Sequence, residues 1–212
     1  MDTRAPGGSL RGHLVWLGLL GYAVYNYAFY LIGAALSVFF PLYVLAVGLA
    51  TVTLIIALAR ADVRQLADAF HPSTPVRLVG ATLVVIGTSL AVVWVVLWAA
   101  YIFAARPVPG GPEPFKVVAA LDLTIMVPAL TIGGVLLWRR RPWGFVLATV
   151  AAVQGALYLL VLSVNSMVAI RRGLVASPGE LPLWATLTLV TGAAAVVLLV
   201  NVRSSRRESR PA

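Results

Sequence analysis

Six long apolar stretches occupy most of this 212-residue chain, and they restrict its fold more than any other feature. Each is about 20 residues or longer, the length that an α-helix needs to cross a hydrocarbon core roughly 30 Å thick. Lipid offers backbone groups no hydrogen-bond partner, and the stretches lack the alternation of barrel strands, so helices are the expected structure. The sequence therefore predicts an all-α, polytopic transmembrane helix bundle with six spans, at approximately His13–Leu36, Phe39–Ala59, Leu78–Ala104, Val117–Trp138, Phe145–Ile170 and Leu183–Val202.

The scarcity of charge supports a membrane location. Charged residues make up 11% of the chain, against about 25% in a soluble domain. The net charge is +9, but the basic residues lie between the apolar stretches and at the chain ends, as in membrane proteins, and form no basic domain that could bind nucleic acid. The chain has no cysteine, which excludes disulfides, thiol redox chemistry and cysteine-based metal sites.

The distribution of basic residues predicts the orientation. A cytoplasmic N-terminus places 12 arginines on the cytoplasmic side and leaves Arg106, Lys116, Arg171 and Arg172 on the other. Short loops rich in arginine stay inside, so both termini are expected to be cytoplasmic. Arginine accounts for 15 of the 16 basic residues, as in GC-rich bacterial genomes, and the expected location is the inner (cytoplasmic) membrane.

A single integral membrane domain is expected over residues 1–212, with a tail at 1–12, the bundle at 13–202 and a basic tail at 203–212. The first stretch exceeds the apolar core of a signal peptide and is expected to be retained, the alternative being cleavage near residues 34–35.

Two of the predicted cytoplasmic connections differ in character. The longer one contains Asp62–Phe70, which predicts a short amphipathic helix on the membrane surface. The shorter one, after the fourth span, is a tight turn that contains Arg139, Arg140 and Arg141. Tryptophans flank these arginines, which are expected to contact anionic lipid headgroups.

Short similarities recur at an offset of roughly 100 residues. Residues 31–36 resemble 131–136, residues 41–46 resemble 142–148, and residues 81–83 resemble 185–187, in the same order. Three spans per half is an odd number, so a true duplication would give a 3+3 inverted repeat of the kind found in transporters and channels. The alternative is chance similarity among apolar residues.

The predicted fourth span contains two unusual residues. Asp122 is the only acidic residue within a predicted span, about six residues or roughly 9 Å from its outer end. It is either a buried functional site or the N-cap of a helix that starts later. Pro128 is a candidate hinge, expected to kink the helix and free a backbone carbonyl near Thr124.

Other polar side chains fall on two helix faces. Gln154, Tyr158 and Asn165 form one stripe of the fifth span, and Asn26 shares a face of the first span with Tyr22, Tyr25 and Phe29. These side chains are expected to face protein, where they either bond one helix to another or line a small polar cavity that opens outward.

The sequence contains no complete catalytic or cofactor motif. Its two histidines, His13 and His71, cannot form a haem pair within the membrane, and no serine has a histidine base to activate it. No enzyme activity, cofactor or metal is therefore expected. The expected function is that of a non-catalytic accessory, assembly or sensory membrane component, with the lipid bilayer and a protein partner or second copy as its partners. The alternative is a small transporter or channel with a polar site around Asp122, Asn26, Gln154 and Asn165.

Overall fold

The computed structural model describes residues 9–174 and 179–203, and this part of the chain is helical apart from turns and one isolated β-bridge. A π-helical turn at Asp122–Met126 joins the helices Pro112–Leu121 and Val127–Trp138, so that residues 112–138 form one continuous span. The helices are α1 Leu10–Gly33, α2 Phe40–Arg60, α3 Val63–Asp68, α4 Val76–Ala104, α5 Pro112–Leu121, α6 Val127–Trp138, α7 Pro142–Arg171 and α8 Leu181–Val200.

Six of these units are long and apolar enough to cross a membrane, namely α1, α2, α4, α5–α6, α7 and α8, which confirms the predicted number. The fourth span begins at Pro112, five residues before the predicted Val117. A proline in the first helical turn loses no hydrogen bond, because its N–H would have no partner there. Pro112 therefore belongs to the first turn of the helix.

The predicted amphipathic helix is present but shorter than expected, since α3 covers Val63–Asp68 within the predicted Asp62–Phe70. The Asp62 carboxylate accepts a hydrogen bond of 3.0 Å from the backbone N–H of Gln65, which caps the first turn. Leu66 is buried against the bundle, whereas Arg64 and Gln65 are exposed. The short helix therefore lies across the ends of the spans.

Helix α7 is the centre of the bundle and packs against α1, α3, α6 and α8. Helix α4 packs along α6, and α2 packs outside α1 with only Ala50 buried. At the crossing of α4 and α6, a Cβ atom added to Gly80 would lie 2.7 Å from the carbonyl oxygen of Gly134. Only glycine permits these two backbones to approach so closely.

The outer surface of the bundle is apolar. Leu45, Leu49 and Ile55 of α2 are each at least 60% exposed, as is Val92 of α4. A surface of this kind is unfavourable in water and suits a hydrocarbon solvent. Together with the six spans, it identifies a multi-pass helical membrane protein.

The start of α1, the short helix α3 and the end of α8 meet at one end of the bundle, which we call the basic end. The Arg11 guanidinium donates hydrogen bonds to the carbonyl oxygens of Val202, at 2.8 Å, and Val200, at 3.1 Å. Phe70 and Val202 form the isolated antiparallel bridge. The bond to Val200 satisfies a carbonyl group that the last turn of α8 leaves free.

Most of the described basic residues lie at the basic end. They are Arg11, Arg60, Arg64, Arg77, Arg139, Arg140, Arg141 and Arg203, whereas the opposite end has Arg106, Lys116, Arg171 and Arg172. The basic end is the one expected to face the cytoplasm, and that orientation stays a prediction.

The two halves of the bundle pack differently. In an inverted repeat, α2 and α4 would correspond to α7 and α8. Helices α7 and α8 pack extensively along each other, whereas the described residues of α2 and α4 make no comparable contact. The inverted repeat is therefore not evident in the packing and stays a hypothesis.

Candidate functional site

Asp122 is buried within the fourth span, with 3% of its surface exposed. It lies ten residues after Pro112, where that span begins, so its depth along the helix is roughly 15 Å at 1.5 Å per residue. The sequence-based depth was too small because the helix starts earlier than expected. The N-cap interpretation is wrong for the same reason, since a full helix precedes Asp122.

Both oxygens of the Asp122 carboxylate accept hydrogen bonds from other spans. The Tyr25 hydroxyl of α1 donates to Oδ1 at 2.6 Å, and the Trp94 indole N–H of α4 donates to Oδ2 at 2.9 Å. Both distances are typical of well-formed hydrogen bonds. We call Asp122, Tyr25 and Trp94 the Asp122 node, because these three residues connect three spans.

Aromatic contacts hold the two donors in place. The Tyr158 ring of α7 packs edge-on against Tyr25, with ring centroids 4.8 Å apart. The Phe115 ring of α5 packs against Trp94 in the same manner at 5.2 Å. Edge-to-face pairs of this kind are favourable and fix ring orientation. The Asp122 node is thus connected to the central helix α7 through Tyr158.

The backbone at Asp122 is also unusual. The N–H of Val127 bonds to the carbonyl of Asp122, five residues earlier, in place of the normal four-residue spacing. Pro128 follows directly and has no N–H to donate to the preceding turn. The helix is therefore irregular just before Pro128, as a π-helical turn, a feature that occurs frequently at functional sites. The kink and hinge at Pro128 stay predictions.

Gln154 is buried near the middle of α7, with 3% of its surface exposed. Its Nε2 atom has no hydrogen-bond partner among the described residues. Its Oε1 atom lies against α1, where a Cβ atom on Gly21 would come within 2.6 Å of it. Glycine at position 21 thus makes room for the amide but supplies no donor or acceptor side chain.

The predicted polar set is only partly brought together. Tyr158 reaches the Asp122 node through Tyr25, and Gln154 packs on α1, but Asn26 is half-buried and Asn165 is exposed. The expectation that the whole stripe of α7 faces protein is wrong at Asn165. The outer part of α7 has α8 as its neighbour, and there Ser163 pairs with Thr188 at 3.1 Å.

Two members of the Asp122 node were not among the predicted site residues. Tyr25 was placed on the correct face of the first span, and Trp94 was not considered. A buried phenol or indole needs a hydrogen-bond partner, which is a usable signal for both. The sequence did not show that α1 and α4 both approach the fourth span, and this helix order decides which donors reach Asp122.

The described residues contain no group of three or more histidine, cysteine, aspartate or glutamate side chains that could hold a metal ion. The Asp122 node itself supplies one carboxylate, one phenol and one indole N–H, and an indole N–H is a donor only. The geometry suits a hydrogen-bonded junction between helices, with one ionisable group at its centre.

No protein-family model, curated protein or solved structure matches the chain.

Proposed function

We propose that this protein is a non-catalytic membrane component that acts as an accessory, assembly or sensory subunit in the inner (cytoplasmic) membrane, with both termini in the cytoplasm. The bilayer and a membrane protein, or a second copy of the chain, are its partners. The observation that carries this proposal is that each oxygen of the Asp122 carboxylate accepts a hydrogen bond from a different span. Polar side chains used in this manner join helices within a bilayer.

The surroundings of the Asp122 node support a structural role. Tyr25 is 1% exposed, and its ring is clamped by Tyr158. Asp122 is therefore enclosed on its α1 side. A carboxylate held between neutral donors in such packing fixes the relative positions of α1, α4 and the fourth span, which an assembly or sensory component needs in order to present a defined shape to its partner.

A second candidate function is a small transporter or channel, and one observation favours it. Asp122 is an ionisable side chain deep within a span, next to a π-helical turn, and such residues mark ion and proton pathways in many membrane proteins. Its Oδ2 atom bonds to Trp94, which is only partly buried. Movement of Trp94 would expose that oxygen.

Proteoliposome flux measurements separate the two functions. The purified protein is reconstituted, and the fluxes of H⁺, Na⁺ and K⁺ are recorded under an imposed membrane potential for the wild type, Asp122→Asn and Asp68→Asn. Asp68 is an exposed acid of α3, so the second variant is a matched control for the same chemical change. The accessory role predicts no flux above empty liposomes for any of them. Flux that Asp122→Asn abolishes and Asp68→Asn preserves would overturn it in favour of transport.

A size measurement tests the accessory role directly. Native membranes are solubilised in a mild detergent, and the mass of the particle that contains this chain is determined. An accessory or assembly component is expected in a particle with a protein mass well above the 22.5 kDa of one chain. A particle that contains only a single copy, in several mild detergents, would contradict the proposal.

A further inference from the structure

A cavity of about 600 Å³ lies at the basic end, beside α3. Three separate parts of the chain line it: the junction of α2 and α3, the end of α6, and the turn that leads into α7. We call it the α3 cavity. Its charged lining residues are Asp62, Arg64 and Arg141, and its apolar lining includes Leu136, Trp143 and Leu147.

We propose that the α3 cavity is a binding site for an anionic phospholipid, with Arg64 and Arg141 binding the phosphate and the apolar side accepting the start of an acyl chain. This proposal does not depend on the proposed function. Basic pockets between spans on the cytoplasmic side bind anionic headgroups in other membrane proteins. A volume of this size is within the usual range for small-molecule sites.

The charges of the cavity favour an anion. Among the described residues, neither Arg64 nor Arg141 forms a salt bridge. The one acid in the lining, Asp62, is already engaged as the cap of α3. A second cavity beside α3, of about 560 Å³, is lined by Asp62 and Asp68 and by Arg64 and Arg203, and is balanced in charge. Of these two cavities, the α3 cavity is the one that combines two arginines with one acid.

The apolar lining favours a lipid over a soluble anion. Leu136 and Leu147 belong to the spans α6 and α7 and are only partly buried, so an acyl chain has apolar surface to contact. Trp143 is 43% exposed, and tryptophan is enriched at the level of lipid headgroups. A headgroup phosphate at Arg64 and Arg141 would therefore place its acyl chains alongside the bundle.

The turn that positions Arg141 is well defined. The N–H of Arg141 bonds to the carbonyl of Leu136, and the N–H of Arg140 bonds to that of Leu137, each at 2.9 Å. This is the Schellman arrangement that ends many helices, and its left-handed position usually holds glycine. Here Arg140 occupies it, with a φ of 52°. Of the three arginines predicted to contact headgroups, Arg141 lines the cavity, and Arg139 and Arg140 do not.

Native mass spectrometry of the purified full chain tests the proposal. Phosphatidylglycerol or phosphatidylcholine with identical acyl chains is added, and the apparent dissociation constant of the first bound lipid is measured. Arg64→Gln/Arg141→Gln removes the two cavity charges. Arg77→Gln/Arg139→Gln removes two charges from the same end outside the cavity and is the matched control. Circular dichroism and gel filtration establish that each variant is folded.

The wild type is expected to prefer phosphatidylglycerol. Each arginine near a headgroup is worth roughly a fivefold change in affinity, so the cavity variant should bind phosphatidylglycerol roughly 25-fold more weakly. The control should change by less than about twofold. If the double variant does not fold, Arg64→Gln alone, an exposed site on α3, is expected to weaken binding roughly fivefold.

Three results would overturn the lipid site. An equal loss in the control variant would mean that the whole basic end attracts anions without a specific cavity. No preference for phosphatidylglycerol over phosphatidylcholine would mean that charge plays no part. Displacement of the lipid by glycerol 3-phosphate at a similar concentration would mean that the cavity binds a soluble phosphate and that the acyl chain contributes nothing.

Discussion

Asp122 and Gln154 are equally buried in the bundle, each 3% exposed, but their polar side-chain atoms differ in hydrogen bonding. Both oxygens of Asp122 accept hydrogen bonds from side chains on two other spans. Gln154 lies closer to the basic end than the Asp122 node does, and its Nε2 atom has no hydrogen-bond partner in the described chain. The residue of α1 that faces the Gln154 amide is Gly21, which offers no polar side chain.

The difference between these two regions reflects the free energy of burial. An unpaired charge within the bilayer is far more unfavourable than an unpaired amide, so a buried carboxylate persists only where several donors surround it. An amide with one free N–H group can be tolerated if the packing around it is good. The Asp122 node is therefore expected to stabilise the bundle, and Gln154 is expected to destabilise it slightly.

The largest expected effect is that of Asp122→Ala. The substitution removes the acceptor of both donors and leaves the Tyr25 hydroxyl and the Trp94 indole N–H without partners inside the bundle. We expect the free energy of unfolding to fall by about 2 kcal/mol, measured by denaturation in mixed detergent micelles. Asp122→Asn keeps an acceptor and the side-chain shape, and should lose less than half as much.

The matched control for this prediction is Asp68→Ala, at an exposed acid of α3, which should change stability by less than about 0.5 kcal/mol. Equal stability of Asp122→Ala and the wild type would mean that the two hydrogen bonds contribute nothing, and the contrast with Gln154 would disappear.

The sequence predicted the fold well because span length and apolarity are local properties. All six spans are present, and α3 was found from the pattern in Asp62–Phe70. The start of the fourth span was misplaced because Pro112 and Pro114 suit either a loop or a first helical turn. Which spans are neighbours is not a local property, and periodicity cannot show that α4 packs on α6 or that α2 packs on α1.

For the candidate site too, the sequence predicted what depends on local features and missed what depends on which helices are neighbours. Asp122 was found because an acid within an apolar span is conspicuous, and its neighbour Tyr158 was found on a polar stripe. Asn165 belongs to the same stripe but is exposed, since a stripe gives direction around a helix and says nothing of where neighbouring helices end. Trp94 was missed because its role depends on the contact of α4 with the π-helical turn.

A double-mutant cycle sharpens the comparison at the Asp122 node, with an expected effect of about 1 kcal/mol. Tyr25→Phe removes the hydroxyl that donates to Asp122 and preserves the ring that packs on Tyr158. Combined with Asp122→Ala, which removes the acceptor, it should give a coupling energy of roughly 0.6–1.7 kcal/mol, the range of interhelical hydrogen bonds in membranes. The same cycle with Tyr43→Phe, whose ring packs on the rings of Tyr27 and Tyr30 away from the Asp122 node, should give no coupling. Coupling of equal size in both cycles would show a general loss of packing in place of a specific hydrogen bond.

The smallest expected effect is that of Gln154→Met. Methionine has nearly the shape of glutamine but no polar group, so it retains the contact with Gly21 and removes the Nε2 atom that has no partner among the described residues. Replacement of an unsatisfied buried amide by an apolar side chain of similar shape should leave the free energy of unfolding unchanged or raise it by up to about 1 kcal/mol. The same substitution at Gln65, an exposed residue of α3, should have no effect and is the control. A loss of more than about 1 kcal/mol at Gln154, with Gln65→Met neutral, would show that the amide is hydrogen-bonded in the membrane. Asp122 and Gln154 would then be two satisfied polar groups, and the bundle would contain a continuous polar network from Gln154 to Trp94 in place of a single node.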